Sequence, residues 1–160
     1  MKSFLFSFLA LFIFGCSAQE PGPQVDPRWS AYLDPKEQWD FAKLTFYGQI
    51  GTDDDIRYAE YQYRVGYISK VPVTKEESRE LARLEIAVLA AGDTALREPL
   101  RLRYFELRNF YYKYSDLSRD ESKELALLEL KSGCEQLPVN ASSRFRDLFY
   151  RADNGLITAE

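Results

Sequence analysis

The sequence contains no histidine, and this absence narrows the chemistry that the chain can perform. Histidine is the most frequent general base, the usual partner in catalytic triads and the commonest zinc ligand. Carboxylates alone can support glycoside hydrolysis, for which Glu80 with Glu85, or Glu124 with Glu129, are available. These residues recur because a whole helical segment recurs, and a duplicated scaffold seldom duplicates a catalytic site. We therefore expect no enzyme, no catalytic residue and no cofactor.

Basic residues are also fewer than acidic residues, 21 against 25, and the net charge is −4. An acidic chain is a poor candidate for binding nucleic acid or an anionic lipid surface. The acidic run at 53–55 lacks the spaced oxygen ligands and the distal glutamate of an EF-hand calcium loop. Acids at the start of a helix are explained by the helix dipole alone. The sequence thus predicts neither a nucleic-acid interface nor a metal site.

Long hydrophobic runs are missing except at the N-terminus, where residues 4–15 are almost wholly apolar. As a helix this segment is about 18 Å long, at about 1.5 Å per residue. Spanning a bilayer core needs about 20 residues, so the segment is too short to be a transmembrane helix. Together with Lys2 before it, the run has the two regions that are typical of a cleaved export signal.

The run ends in Ile13-Phe14-Gly15-Cys16, which resembles the lipobox of bacterial lipoproteins. This resemblance covers only residues 1–17. It implies cleavage before Cys16 and a covalent lipid on that residue, which anchors the chain to the cell envelope. Ser17 resembles an outer-membrane address, on the periplasmic face, if the host is Gram-negative. Cys134 is then left without a partner in the chain, and we expect it to be a partly buried thiol in a loop.

Residues 16–30 contain three prolines and little apolar pattern, which predicts a flexible tether behind the lipidated cysteine. Residues 31–153 are expected to form one domain, and 154–160 a C-terminal tail. No segment alternates with the period of a strand for long enough to predict a sheet. The sequence therefore predicts an all-α fold.

An internal repeat organises the predicted domain. Residues 77–86 match residues 121–130 at seven of ten positions, and a weaker copy lies at 37–44. Each copy follows a capping residue three positions before a glutamate, the signature of a capping box at the start of a helix. The three pairs are Asp34 with Glu37, Thr74 with Glu77, and Ser118 with Glu121.

A second type of helix alternates with the first, because 57–61 matches 103–107 and, more faintly, 144–148. The pattern predicts six helices in three related pairs, and their period falls within the range of helix-pair repeats. It does not decide between a short open array and a closed bundle. The predicted helices are 34–47, 54–69, 74–91, 95–115, 118–131 and 141–152.

Each helix of the second type carries an arginine followed three residues later by an acid: Arg57 with Glu60, Arg103 with Glu106, and Arg144 with Asp147. Residues three apart on a helix are neighbours and can form an ion pair. The repetition of the motif predicts a shared structural role, in which each arginine bridges to acids of the neighbouring helix.

The two predicted helices 54–69 and 95–115 are apolar on two faces and rich in tyrosine. Such a helix is either buried between neighbours or presents one face to a partner. Tyrosine is frequent in binding surfaces because its ring buries a large area while its hydroxyl remains polar. We expect most of these rings in the core and a minority in a groove. The candidate partner-binding residues are Tyr58, Tyr61, Phe105 and Tyr112.

These features favour a membrane-anchored protein-interaction or adaptor lipoprotein of the bacterial cell envelope, with an envelope protein as its partner. One alternative is a module that binds cell-wall glycan or peptide through the tyrosine-rich face. Another is an envelope hydrolase that depends on carboxylates alone. Neither the oligomeric state nor the identity of the partner is predicted.

Overall fold

The computed structural model describes residues 22–133 and 136–154. The predicted all-α fold is confirmed over these residues, in which the only extended pairing is an isolated bridge between Ser69 and Tyr112. The export signal, Cys16, Cys134 and the tail from residue 155 lie outside the described residues. The helices are α1 (Pro35–Tyr47), α2 (Thr52–Arg64), α3 (Lys75–Ala91), α4 (Glu98–Tyr111), α5 (Arg119–Ser132) and α6 (Val139–Asn154), with short 3-10 helices at Pro27–Ala31 and Asp93–Ala95.

Two of the three predicted capping boxes are complete. At the start of α1, the Asp34 side chain accepts from the Glu37 amide, and the Glu37 carboxylate accepts from the Asp34 amide. Ser118 and Glu121 do the same at the start of α5. Thr74 accepts from the Glu77 amide, but the reverse bond is missing, so this prediction is only half right. The Glu77 carboxylate instead accepts hydrogen bonds from α4 and α5, as described below.

The predicted lengths of the second-type helices are wrong at their ends. α2 stops at Arg64 instead of 69, because Gly66 adopts a positive φ of 74°. The Tyr67 amide then donates to the Gln62 carbonyl and the Gly66 amide to Tyr63, which is a Schellman motif. α4 begins at Glu98 and ends at Tyr111, inside the predicted 95–115.

The predicted flexible tether extends too far, because the folded region includes the 3-10 helix Pro27–Ala31. Trp29 is only 6% exposed, and its ring lies 4.6 Å from that of Phe41 on α1. Its indole N–H donates to the Tyr67 hydroxyl at 2.8 Å. Burial of a large aromatic ring outweighs the local preference of a proline-containing segment to remain extended.

Each helix packs on its neighbours in the chain, most closely α2 on α3 and α4 on α5. The buried apolar side chains form three clusters that follow one another: between α1 and α2, among α2 to α5, and between α5 and α6. This sequential packing favours the open repeat array over the closed bundle. We call α1 with α2 unit 1, α3 with α4 unit 2, and α5 with α6 unit 3.

The repeated arginines bridge to the preceding helix, as the sequence predicts. Arg57 binds Asp40 at 2.6 Å, Arg103 binds Glu80 at 3.1 Å, and Arg144 binds Glu124 at 2.9 Å. The pairs of Arg103 with Glu106 and Arg144 with Asp147 also form. The predicted pair of Arg57 with Glu60 is wrong, because Arg57 pairs with Asp54 and Glu60 with Arg79 of α3.

Two of the three capping glutamates, Glu37 and Glu77, join their unit to the next one, whereas Glu121 pairs within unit 3. Lys75, at the start of α3, binds Glu37 of unit 1 at 2.5 Å, and the equivalent Arg119 binds Glu77 of unit 2 at 2.7 Å. Tyr111 also donates to Glu77. Burial opposes ionisation of Glu37, but hydrogen bonds from Arg64, Lys75 and the Asp34 amide outweigh it and lower its pKa to about 2. The recurring charges thus hold the array together.

Candidate functional site: a groove between α4 and α6

The four candidate binding residues do not converge on one surface. Tyr61 and Phe105 are core residues, 7% and 8% exposed, and this burial contradicts the expectation that they present a surface to a partner. Tyr58 is half-buried and packs against the cluster of unit 1. Tyr112 is 41% exposed, immediately after α4. The candidates therefore lie in two regions, and only Phe105 and Tyr112 border the cleft between α4 and α6, where each lines a different cavity.

That cleft runs between α4 and α6, the second helices of units 2 and 3, and we call it the α4–α6 groove. It contains two cavities, of about 260 Å³ and about 330 Å³. Its walls combine one face of α4 with one face of α6, and the C-terminal end of α5 closes the larger cavity. The principal lining residues are Arg101, Phe105, Arg108, Asn109 and Tyr112 of α4 and its end, Glu129 of α5, and Phe145, Phe149 and Asp153 of α6.

Aromatic rings form the walls of the groove. Phe145 and Phe149 stack along α6 with ring centroids 5.8 Å apart, so that one ring borders each cavity. Phe149 is 46% exposed, similar to Tyr112 opposite it. Exposed rings on both sides of a cleft are unusual away from binding surfaces, because they leave apolar area in water. The walls can therefore bury an apolar group that enters from solvent.

A polar network lies between the two cavities. The Arg108 guanidinium donates to the Glu129 carboxylate at 2.6 Å, and the Asn109 amide donates to its other oxygen at 2.8 Å. Arg108 also lies over the Phe105 ring, 4.9 Å from its centroid. Burial raises the pKa of Glu129, and the bonds from Arg108 and Asn109 offset only part of this increase. The network holds Arg108 at the mouth of the groove, where a ligand can reach it.

Arg101, which lines the larger cavity, has a buried donor that no described group satisfies. Its Nε is inaccessible to solvent and has no hydrogen-bond partner in the described part of the chain. An unsatisfied buried donor costs about 1–3 kcal/mol. Because this Nε has no accessible surface, a ligand in the cavity would reach it only if neighbouring side chains moved.

Unit 1 and unit 2 differ at several positions beside the groove, where Phe105, Arg108, Asn109 and Tyr112 correspond to Ala59, Gln62, Tyr63 and Gly66. Tyr63 of α2 corresponds to Asn109 of α4, and Glu85 of α3 corresponds to Glu129 of α5. In the first case the Tyr63 hydroxyl donates to Glu85 at 2.7 Å, and its ring fills the space between α2 and α3. In the second, Asn109 makes the same bond with a shorter side chain. The space that a ring occupies in unit 1 therefore remains part of the groove in unit 2.

Sequence reasoning did not find Asn109, Phe145 or Phe149 as candidate residues. A signal was present, since Asn109 is the polar exception where the repeat has tyrosine at 63 and at 150. Phe149 lies on α6, where only one faint copy of the repeat motif indicates the register of the helix, so the sequence did not single it out. The groove itself depends on how far apart α4 and α6 lie, which no local pattern encodes.

Within residues 22–133 and 136–154, no three histidine, cysteine, aspartate or glutamate side chains are grouped as metal ligands. None of the described helices combines the length and apolarity needed to cross a membrane. No protein-family model matches the chain, and searches of curated proteins and of solved structures find no significant match.

Proposed function

We propose that this chain is a lipid-anchored protein-interaction lipoprotein of the bacterial cell envelope, and that its α4–α6 groove binds a segment of an envelope protein. The observation that carries the proposal is the groove itself, with exposed rings on both walls and charged groups between them. Interfaces are anchored by a few aromatic and arginine side chains in such clefts. The lipobox at residues 13–16 supports the location.

The groove fits an extended or helical segment with two apolar side chains. One side chain enters the cavity beside Phe149, and the other enters beside Phe145. A main-chain carbonyl or an acidic side chain between them would accept from Arg108, whose side chain is 38% exposed. This combination of apolar anchors and a central polar contact is typical of peptide recognition.

The carboxylates considered for hydrolysis support an interaction role instead of an enzymatic one. Glu80 accepts from Arg103, Glu85 from Tyr63, Glu124 from Arg144, and Glu129 from Arg108. Each of these four acids is occupied by a contact that joins two helices.

Photocrosslinking from the groove tests the proposal. A photoreactive amino acid replaces Phe149 in the full-length protein, and native membranes are irradiated. We expect one envelope protein to be crosslinked, and the additional substitution Tyr112→Ala to reduce the product at least fivefold. The same probe at Leu127, an exposed position on α5 outside the groove, is the matched control. Equal products from both positions, or none, would reject the groove as the binding surface.

The lipid anchor is tested separately. Mass spectrometry of the N-terminal peptide should detect an acylated Cys16 with residues 1–15 removed. The substitution Cys16→Ala should release the protein from the membrane fraction, because acyl chains provide the anchor. Retention of Cys16→Ala in the membrane would contradict the proposed anchoring. Fractionation of outer and inner membranes tests the outer-membrane location that Ser17 suggests.

Glycan binding is less well supported by the arrangement of the rings. Tyr112 and Tyr114 are nearly perpendicular, at 72°, and the rings of Phe145 and Phe149 are tilted by 39°. A sugar chain would be expected to need several coplanar rings along the groove. Sedimentation with purified cell wall distinguishes the two functions, since the protein-binding proposal predicts that the purified chain remains in solution.

A further inference from the structure

The helix α1 carries an exposed stripe of aromatic and basic side chains on the side opposite its core face. We call it the α1 stripe, and its members, which lie within an arc of about 100° over about three turns, are Lys36, Trp39, Lys43, Phe46 and Tyr47. The three rings are 49%, 46% and 68% exposed in chain order. The other side of α1 packs on α2 and on the 3-10 helix Pro27–Ala31. In the described part of the chain, the α1 stripe therefore faces solvent.

The acidic residues of α1 do not make this stripe negative. Glu37 belongs to the buried side of the helix. Asp40 is held in an ion pair with Arg57 at 2.6 Å. The charged members of the stripe itself are Lys36 and Lys43. The chain as a whole is acidic, but this face of it is basic and aromatic.

This composition is that of a surface at a membrane–water interface. Tryptophan and tyrosine rings are enriched at the level of the lipid headgroups, because one end of each ring is apolar and the other is polar. Lysine covers apolar surface with its methylene groups and extends its ammonium toward the phosphates. A helix with such a face lies in the plane of the interface without crossing the bilayer. Lipid is therefore a chemically suitable occupant of the α1 stripe.

The stripe also lies on the unit that follows the lipid anchor in the chain. Asp26 caps the 3-10 helix, and the ring of Trp29 within this helix packs 4.6 Å from that of Phe41 on α1. Cys16 precedes Asp26 by ten residues, which can extend over at most about 35 Å. A surface held within this distance of the bilayer meets it at a high effective concentration, so that a weak contact is sufficient.

We infer that the α1 stripe rests on the surface of the membrane that carries the anchor, with Trp39 and Tyr47 at the level of the headgroups. This inference rests on the proposed function, because it requires the lipid on Cys16. The acyl chains supply the affinity, and the stripe fixes the orientation of the domain. The walls of the α4–α6 groove come from α4, α5 and α6, so the groove remains open to an envelope protein while unit 1 contacts lipid.

Quenching of tryptophan fluorescence by lipids with brominated acyl chains tests the inference. The chain contains two tryptophans, Trp39 on the stripe and Trp29, which is 6% exposed. The full-length protein, acylated at Cys16, is inserted into vesicles of phosphatidylethanolamine with phosphatidylglycerol as a minor component. The emission of Trp39 is the difference between the wild type and Trp39→Phe. We expect brominated lipids to reduce this difference at least twofold.

Substitutions within and outside the stripe show whether the contact depends on its rings. The double substitution Phe46→Glu with Tyr47→Glu should reduce the quenching of Trp39 at least threefold, although the lipid anchor is retained. Leu89→Glu, at a position of α3 that is 75% exposed and outside the stripe, is the matched control and should leave the quenching unchanged. Equal effects of both variants would overturn the inference. Far-UV circular dichroism verifies the fold, and Tyr47→Glu alone replaces the double variant if that variant fails to fold.

Two further measurements separate the inference from the proposed function and from other occupants. Mass spectrometry of the same preparation shows whether Cys16 carries lipid. A lipidated chain with unquenched Trp39 would overturn the inference alone, whereas a chain without lipid would overturn both the anchor and the inference. A photoreactive residue in place of Tyr47 should crosslink to phospholipid in native membranes. Crosslinking to an envelope protein or to a second copy of the chain instead would overturn the membrane contact.

Discussion

The junction between units 1 and 2 and the junction between units 2 and 3 use the same acid in different ways. Glu85 and Glu129 occupy equivalent positions, and each accepts a hydrogen bond from the preceding second-type helix. At the first junction the donor is Tyr63, whose ring belongs to the largest buried cluster. At the second it is Asn109, and a groove remains beside it. The polar contact with the acid is therefore kept when the donor changes from a tyrosine to an asparagine.

The comparison of the two junctions distinguishes the parts of the repeat that maintain the fold from those that vary. In every unit, the acid at the start of the first helix pairs with one or two arginines. The position of Tyr63 and Asn109 is one of several beside the second-type helices that vary between units 1 and 2. We expect substitutions at the filled junction to change stability, and substitutions at the open junction to change binding.

The largest effect is expected from Tyr63→Asn, which gives the closed junction the residue of the open one. Asparagine can still donate to Glu85, so the loss comes from the buried ring and the cavity that it leaves. Replacing a buried aromatic residue by a small one costs about 3 kcal/mol. Equilibrium urea unfolding should show this decrease in the free energy of unfolding. Tyr114→Asn, at a position 56% exposed, is the control and should change it by less than about 0.5 kcal/mol. Equal effects at both positions would contradict the distinction between the junctions.

A smaller loss is expected from Glu37→Gln, which breaks the ion pair with Arg64 at 2.9 Å. Arg64 is 8% exposed and keeps only the more distant Glu60, at 3.7 Å, as an ion-pair partner, so that its buried charge is less well compensated, at a cost of about 2 kcal/mol. The equivalent substitution Glu121→Gln should cost less, since Arg151 remains paired with Asp116 and the side chain of Glu121 is 25% exposed. Thermal unfolding at pH 7 compares the two variants directly.

The effect of Glu37→Gln on stability should depend on pH. The pKa of Glu37 is lowered to about 2 in the folded chain from an ordinary value of 4.5. Its ionised form therefore stabilises the fold fully above about pH 4.5, and this contribution is lost as the pH falls toward 2. We expect the stability difference between the wild type and Glu37→Gln to be constant near neutrality and to shrink below pH 4.5. A difference that does not change with pH would show that the ion pair is not its source.

The sequence predicted the parts of this fold that depend on local chemistry. The caps at Asp34 and Ser118 were predictable because a capping residue and a glutamate three positions apart satisfy the same backbone groups in any helix. The bridges from Arg103 and Arg144 were predictable because the motif recurred. In contrast, the burial of Trp29 depends on Phe41 and Tyr67, which lie far away in the chain. Tertiary contacts of this kind override the composition of a proline-containing segment.

The site was less predictable than the fold. Phe105 and Tyr112 were chosen because they belong to a helix that is apolar on two faces, and both border the groove. Tyr58 and Tyr61 were chosen for the same reason and pack in unit 1 instead, because the preceding helix α1 covers that face of α2. Periodicity gives the direction in which a side chain points, but not whether a neighbour is close enough to bury it.

The converse exchange, Asn109→Tyr, should close the open junction with little effect on stability. The new ring can reach Glu129 and occupy part of the groove. The stabilisation from burying the ring is offset by the strain of packing it against its neighbours. We expect the free energy of unfolding to change by less than about 1 kcal/mol. Crosslinking from a probe at Phe149 should fall at least fivefold, because the ring occupies the space of the ligand. Asn109→Ser keeps the groove open and is the control, in which the crosslink should persist.

The smallest effect is expected from Glu129→Gln, which removes the buried charge of the open junction. Burial raises the pKa of Glu129 even though Arg108 pairs with it at 2.6 Å. The Arg108 side chain is 38% exposed at the groove mouth, so water screens the charge of the guanidinium. A carboxyl whose pKa is raised by folding stabilises the fold in its neutral form. This contribution to the free energy of unfolding is present below the ordinary pKa of the group and is lost as the pH rises through the raised pKa. The variant should therefore match the wild type in stability at pH 4 and be more stable than the wild type at pH 8. Urea unfolding at the two pH values measures this difference, with the exposed Glu76→Gln as the control. A variant less stable than the wild type at pH 8 would mean that the ion pair with Arg108 outweighs the burial of the carboxylate, and that the open junction is held together in the same way as the closed one.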